Sequence, residues 1–268
     1  MNALRPAAAI IAAVLVFATL LGGFLSGANY AAQDRAHIDA APSRQHWLGT
    51  DALGRDRLSR LLEGTRVSIL LAPAAAGIST LLAFGMGAIP GLLGGWWERA
   101  AKTAIDLFLS IPWLFLLLMV RAMLPLNTSP RTSVTITFLV LGVLGWAGPA
   151  RILLGRARSA RESDVMLLAR ATGSGGFRLL HRQLLPNLWP VLAAQFWVSV
   201  PVFILSEANL SILGLGVAEP LPSLGSLLRG LETAMTISGN WCRFVPLLVL
   251  VVLVSSLQIA TSKQEFTH

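Results

Sequence analysis

Long stretches without a charged residue most constrain how this chain can fold. Residues 6–33, 67–97 and 244–261 contain no Asp, Glu, Lys or Arg, and only 13% of all 268 residues are charged. An ordinary soluble domain is about 25% charged, and about 20 apolar residues span a bilayer as a helix. We therefore expect an all-α, polytopic transmembrane bundle. The runs are continuously apolar, which disfavours the alternating strands of a membrane barrel.

Six spans within one membrane domain, residues 1–268, are predicted from these runs. The first follows Arg5; the alternative is a signal peptide cleaved near 28–31, but the apolar core exceeds the ~7–15 residues of such a segment. Prolines inside several spans indicate bent helices around a path, because the freed carbonyls need neighbouring helices or a wet cavity. The predicted spans are about 7–27, 67–96, 105–124, 133–150 (ending at Pro149), 184–206 and 244–261.

The distribution of arginines predicts the orientation. The loop 151–183 carries seven arginines against Glu162 and Asp164, so the positive-inside rule places it in the cytoplasm. An even number of spans then places the N-terminus on the same side. Segment 34–66, which would lie outside, holds six arginines and argues for the reverse.

Residues 164–190 read DVMLLARATGSGGFRLLHRQLLPNLWP, a basic segment punctuated by glycine. The pattern predicts a helix over 164–171, a turn at Gly173, and a short second helix that ends near Pro186. A rigid knob of this form suits docking into the groove of a partner protein. The alternative is a basic amphipathic segment on anionic lipid head groups.

The glycines of this segment do not form an ATP site. A phosphate-binding loop needs a Lys followed by Ser or Thr, and the only lysines are Lys102 and Lys263. We expect this chain to bind no cofactor of its own.

Three motifs in order resemble the C-type permease subunit of the dipeptide/oligopeptide/nickel family of ABC importers. The first is HWLGTDALGRDRLSRLLEGTRVSIL, residues 46–70, and the third is LSEANLSILGLGVAEPLPSLGSLL, residues 205–228. Between them, Ala169, Gly173 and Leu185-Pro186 resemble the coupling loop of ABC permeases. The resemblance implies the type I importer permease fold and a subunit that forms half of a translocation pathway.

The resemblance also marks residues. In the external motif these are His46, Leu48, Gly49, Thr50, Asp51, Gly54, Arg55, Asp56, Ser59 and Arg60. In the coupling loop they are Ala169, Arg170, Gly173, Ser174, Phe177, Leu185 and Pro186.

The chain departs from the family pattern at two places. Leu167-Leu168-Ala169 stands where the family has Glu-Ala-Ala, which bears on the contact with the ATPase. The C-terminal SSLQIATSKQEFTH lacks the family's usual Gly-Asp and Leu-Arg-Asp pattern.

The resemblance implies several partners in a bacterial inner membrane. They are a second, homologous permease subunit, two cytoplasmic ATPase subunits that hold ATP and Mg, an extracytoplasmic substrate-binding protein, and membrane lipid. The net charge of +8 does not indicate nucleic acid, because basic residues in a membrane protein mark loops and head-group contacts.

The external motif has a local interpretation as well. Thr50 or Asp51 is predicted to cap a helix, with leucines on one face, charges on the other, and Gly64 at its end. One interpretation is an interfacial helix without a specific role. The family interpretation is a structured lead into the second span that braces the paired subunit.

Glu207 falls at the outer end of the fifth span. One hypothesis is a solvated acid at the membrane interface. The other is an outer gate, where the carboxylate meets a cationic substrate terminus. The other residues assigned to this gate or pathway are Pro201, Asn209, Gly214 and Gly216.

No catalytic or metal site is predicted. His37, His46, His181 and His268 all lie outside the predicted spans, and Cys242 is the only cysteine. A membrane-embedded enzyme is the alternative from a different class. An ABC exporter is disfavoured because it usually carries a fused ATPase. Peptides or related small solutes, such as glutathione-like molecules, are the expected substrates, and nickel or a metal chelate is the alternative.

Overall fold

A computed structural model of the chain describes residues 4–25, 29–123, 129–171, 182, 184–234 and 241–261. These residues are helical apart from the loops, and they include no β-strand, only an isolated bridge between Thr50 and Asp56. Four helical stretches within them are long and apolar enough to cross a membrane. A bent pair of helices makes up to five. The predicted all-α membrane fold is confirmed.

The helices are numbered here in chain order. They are α1 (Leu4–Leu25), α2 (Arg57–Ala83), α3 (Ile89–Leu93), α4 (Gly95–Leu109), α5 (Trp113–Met123), α6 (Pro130–Leu144), α7 (Ala147–Arg161), α8 (Asp164–Ala171), α9 (Leu185–Ile212), α10 (Leu224–Ala234) and α11 (Val245–Thr261). A π-helical turn, Phe84–Ala88, joins α2 to α3, and a 3-10 turn, Trp241–Phe244, precedes α11.

The second span differs from its prediction at both ends of the external motif. Helix α2 begins at Arg57, because Asp56 Oδ2 accepts the amide of Ser59 at 2.8 Å and its hydroxyl at 2.6 Å. This is an N-cap, so the predicted cap at Thr50 or Asp51 is wrong. The helix also continues through Gly64, which was expected to end it.

The prolines of the predicted third and fourth spans differ in their effect. Helices α4 and α5 meet at a bend of 82° beside Pro112. Pro149 was predicted to end the fourth span, but it lies in the first turn of α7. Proline is tolerated there because the amide groups of a first turn have no acceptor within the helix. The segment predicted as loop 151–183 is therefore helical as far as Arg161.

The chain divides into two compact units. The terminal unit comprises the described residues within 1–72, 118–138 and 201–262, and the central unit those within 73–117 and 139–200. In the terminal unit, α1 and α10 pack against α11. In the central unit, α3, α4 and the π-helical turn pack against α7.

Small residues bring the helices of the central unit close together. A Cβ on Gly87 would overlap the carbonyl oxygen of Ala150 on α7, and one on Gly91 would lie 2.8 Å from the carbonyl oxygen of Leu154. Such spacing of small residues lets helix backbones approach in a membrane. The core comprises Ala83, Ala88, Leu92, Ala101, Ile105, Ala150, Leu153, Leu154, Ala157, Met166, Leu184, Leu188 and Leu192.

Candidate functional site

The segment before α2, residues 34–56, is an ordered turn structure. Gly49 and Gly54 have φ angles of 72° and 74°, a region that other residues rarely adopt. A Cβ on Gly49 would overlap the carbonyl oxygen of Ala40, and one on Gly54 that of Asp34. The two glycines of the external motif are thus required by backbone conformation and by close approach.

Thr50 and Asp51 hold the interior of this turn structure. Thr50 is fully buried; its hydroxyl accepts the amide of Ala40 at 2.9 Å and donates to the carbonyl of His37. Asp51 Oδ1 accepts the amide of Arg55 at 2.9 Å, while Oδ2 accepts Arg55 Nε at 2.8 Å. Asp51 therefore caps a turn and orients a guanidinium, rather than capping a helix.

His46 links this turn structure to α2. Its Nδ1 lies 3.0 Å from Oδ1 of Asp56, whose other oxygen holds Ser59 in the first turn of the helix. Both residues therefore position the start of α2.

A pair of buried arginines binds Glu219, which lies far along the chain. Arg55 Nη1 donates to Glu219 Oε2 at 2.7 Å, and Arg60 Nη2 donates to Glu219 Oε1 at 3.0 Å. Arg60 Nη1 also reaches the carbonyl of Pro220 at 3.4 Å. Arg60 is only 3% exposed, whereas the carboxylate side chain is 54% exposed. These bonds fasten the external motif to segment 213–223, the residues between α9 and α10.

Asp39 makes a second junction. Its Oδ1 accepts Arg57 Nη2 at 3.2 Å and Arg243 Nη2 at 3.1 Å. Arg243 lies in the 3-10 turn before α11 and is buried. We call the whole set the arginine network; its members are Asp39, Asp51, Arg55, Arg57, Arg60, Glu219 and Arg243.

The arginine network surrounds a cavity of about 260 Å³. Its apolar wall comes from the external motif, α2, α10 and the start of α11, and includes Leu48, Leu61, Leu227 and Pro246. The cavity is thus lined on one side by the charged arginine network and on the other by apolar side chains, all within the terminal unit.

The pKa of Asp51 lies below its ordinary value. Burial alone would raise this pKa, but the amide hydrogen bonds from Arg55 and Leu53 and the charge of the Arg55 guanidinium outweigh it. Asp51 is therefore ionised at neutral pH and holds Arg55 in place.

Glu207 on α9 is completely buried, so the hypothesis of a solvated surface acid is wrong. Its Oε1 accepts the hydroxyls of Ser211 at 2.6 Å and Ser223 at 2.7 Å. The amide of Gly225 lies against the carboxyl, while Oε2 makes no hydrogen bond of normal geometry to the described part of the chain. Glu207 thus joins the end of α9 to the start of α10.

The structure brings only some of the other gate residues to Glu207. Gly216 packs directly against Ser211, where a Cβ would overlap the hydroxyl. Gly214 follows the end of α9 with a φ of 83°. Asn209 is exposed, and Pro201 is buried within α9.

An ion-paired junction lies at the end of α7 in the central unit. Arg161 Nη1 donates to the carbonyl of Gly91 at 3.0 Å and to Glu98 Oε2 at 2.8 Å. Arg158 reaches the same carboxylate at 3.4 Å. The junction therefore ties α7 to α3 and α4 immediately before α8 begins at Asp164.

Helix α8 covers the residues predicted for the first helix of the coupling loop. Ala169 and Arg170 belong to it, but their side chains lie outside the described part of the chain. Leu185 begins α9 and packs on the central core, and Pro186 is exposed in the first turn. Outside the described residues lie Gly173, Ser174 and Phe177.

The described residues contain no group of three or more His, Cys, Asp or Glu that could hold a metal ion. Cys242 is buried beside the arginine network.

Sequence reasoning missed Asp39, Glu219, Arg243 and Arg121. A signal was present for two of them. Glu219 is the only charge between Glu207 and Arg229, and Arg121 the only one between Asp106 and Arg131. A single charge within a long uncharged segment indicates a partner or a function.

Comparison with known proteins gives one family. The family described as "Binding-protein-dependent transport system inner membrane component" matches residues 82–262. Of the curated relatives, a putative peptide permease protein of Brucella suis is 34% identical over 82% of this chain and 72% of its own length. The dipeptide transport system permease protein DppC of Bacillus subtilis is 31% identical over 90% and 73%. The oligopeptide transport system permease protein OppC of Mycobacterium tuberculosis is 36% identical over 79% and 71%.

The fold also matches a solved structure. A chain of the MetNI methionine ABC transporter, in inward-facing conformations, superposes with a TM-score of 0.57 at 17% identity. The superposition covers 76% of this chain and 94% of that chain, and similarity at this level of identity shows the fold alone.

Proposed function

The chain belongs to the family of binding-protein-dependent transport system inner membrane components, and from this we propose that it is the permease subunit through which an ATP-driven ABC importer moves peptides. The observation that carries the substrate class is the similarity to permeases named for peptides, dipeptides and oligopeptides over about four fifths or more of the chain. As a transport component it is not an enzyme, and the alternative of a membrane-embedded catalyst is set aside.

Two such subunits form a pathway in this proposal. This chain supplies one half and a second, homologous permease the other. Two cytoplasmic ATPases bind ATP and Mg, since this chain has no lysine placed for a phosphate-binding loop. An extracytoplasmic binding protein delivers the peptide.

The coupling loop, residues 164–186, connects the ATPases to the helices. Helix α8 begins directly after the junction of Arg161, Gly91 and Glu98, so a force on the loop acts on a firmly tied end of α7. ATP binding would close the ATPases, move the loop, and switch the pathway. Such a switch works only if ATP binds one state better than the other.

The arginine network supports an extracytoplasmic position for the external motif. The four arginines of this motif each meet a carboxylate; they are Arg55, Arg57, Arg60 and Arg66. The loop 151–183 holds seven arginines against two acidic residues. With the loop inside, the N-terminus is cytoplasmic. Packing of α1 against α11 supports its retention as the first of six spans in a single domain.

Glu207 belongs to the outer gate in this proposal. The carboxylate holds Ser211 and Ser223, and Gly216 packs on the first of these serines. Displacement of segment 213–223 would break this arrangement and leave the carboxylate facing the pathway.

The test is uptake by the reconstituted importer. The complex is placed in vesicles with ATP on the ATPase side and the loaded binding protein on the other. A labelled peptide should accumulate only when ATP and binding protein are both present. Uptake of a nickel chelate without uptake of any peptide would contradict the peptide assignment and favour the metal-chelate alternative.

A further inference from the structure

Arg121, near the end of α5, is a buried arginine whose partners are all neutral. The side chain is 2% exposed. Its Nη2 donates to Ser133 Oγ at 3.1 Å and to the carbonyl of Gly216 at 3.4 Å. Nε and Nη1 are buried as well and have no hydrogen-bond partner among the residues that the structure describes. No carboxylate among the described residues forms an ion pair with it.

The other buried arginines of the terminal unit provide the contrast. Arg55 and Arg60 contact Glu219, and Arg243 contacts Asp39. A buried charge is strongly destabilising when it has no opposite charge beside it, and a guanidinium cannot escape by losing its proton. Arg121 is therefore the position in this unit where a buried cation lacks its anion.

The Nε and Nη1 groups of Arg121 can only donate hydrogen bonds, so a ligand for them must be an acceptor. Because they belong to a cation in a low-dielectric site, an anion is favoured over a neutral oxygen. The contact with Gly216, at 3.4 Å, is long for a hydrogen bond. It joins Arg121 to segment 213–223, the same segment that Glu207 holds through Ser223.

We propose that Arg121 receives the C-terminal carboxylate of the transported peptide, once segment 213–223 moves and the carbonyl of Gly216 leaves the guanidinium. The inference rests on the proposed function, which supplies a substrate with that carboxylate. It adds a residue that senses one chemical end of the peptide inside the permease, separately from the binding protein.

The test compares a peptide with its C-terminal amide in the complete reconstituted importer. Each variant's uptake rate is divided by that of the unmodified importer for the same peptide, so the preference of the binding protein cancels. We expect R121Q to lower uptake of the free acid about tenfold or more, as loss of a buried charge-assisted bond implies. Uptake of the amide should fall less than about threefold, since its neutral end never required the charge.

Two further variants serve as controls. R121K keeps the charge without the planar fork and should restore part of the free-acid uptake. R131Q removes the exposed arginine at the start of α6 and should change neither rate. Equal losses for acid and amide in R121Q would overturn the inference and leave Arg121 a structural residue. Unchanged rates for both would overturn it as well.

A second measurement is needed if the binding protein rejects the amide or if R121Q folds poorly. The permease–ATPase complex without binding protein is heated with millimolar peptide or amide, and a ligand that binds the folded state raises the unfolding midpoint. The free acid should raise it more than the amide, and R121K should reduce that difference. Equal shifts overturn the inference while leaving the importer function intact. An unmodified importer that takes up no peptide contradicts the proposed function itself.

Discussion

Glu219 shows how one exposed carboxylate can fasten together two distant segments of a membrane protein. Its two oxygens bind two arginines that are themselves almost fully buried, and those arginines belong to a segment more than 150 residues earlier in the chain. The sequence marks Glu219 only as a lone charge among apolar residues. Its partners could not be read from the sequence, because long-range ion pairing depends on how the chain returns.

E219Q should loosen segment 213–223. The variant removes the negative charge that two buried guanidinium groups contact. We expect the free energy of unfolding to fall by about 1–2 kcal/mol, a modest loss because the carboxylate is half exposed. Amide hydrogen exchange across residues 205–228 should become faster. In the matched control E63Q, which alters a 3.7 Å pair within one turn of α2, exchange should hardly change. Identical exchange in the two variants would argue against the fastening role.

Asp51 predicts an acid-sensitive external motif. Its pKa is lower in the folded protein than its ordinary value, so its stabilising contribution is complete above about pH 4 and is lost as the pH falls through the folded pKa. The thermal unfolding midpoint should therefore drop as the pH falls below about 4. D51N should start lower and show a shallower drop. Parallel curves for the two proteins would contradict the assignment.

At the scale of elements, uncharged runs located the apolar helices but not their ends. Charged residues do not bound α2, which begins at Arg57 because Asp56 supplies the cap and the arginines have carboxylate partners. Pro149 does not stop a helix, because it lies in the first turn of α7, where proline is tolerated. Helix ends in this chain are set by caps and ion pairs that only the folded structure reveals.

The packing of the π-helical turn on α7 predicts a sharp difference between neighbouring glycines. In G87A the new Cβ overlaps the carbonyl of Ala150, a backbone atom that cannot move aside, so the helices must separate at a cost of about 1–3 kcal/mol. In G85A the Cβ meets no atom within 4 Å. Thermal unfolding in detergent should show a lower midpoint for G87A only. Equal midpoints would mean that this close approach contributes nothing.

The turn of the coupling loop gives a prediction that comes from sequence alone. Gly173 lies outside the described residues; as the predicted turn between two short helices it requires conformations that a branched residue disfavours. G173V should therefore abolish ATP-driven uptake while the protein level and the assembly of the membrane subunits remain normal. Normal uptake at an unchanged protein level would refute the loop's coupling role.

At the scale of the whole molecule, the sequence predicted the membrane fold and the family, and the structure supplied the polar connections. Composition and the three motifs indicated an importer permease. The arginine network, the serine-bound Glu207 and the unpaired Arg121 emerged only from contacts between distant segments. Each unit thus combines apolar helices with a polar junction.

We propose that this chain works as one permease half driven by separate ATPases. The most direct measurement is to tag the chain, solubilise native membranes gently, and identify what co-purifies, with a crosslinker placed at residue 174 in the loop. We predict two ATPase subunits, a second permease, and crosslinks from residue 174 to an ATPase. A chain that purifies alone and gives no such crosslink would contradict it and favour a loop that lies on lipid head groups.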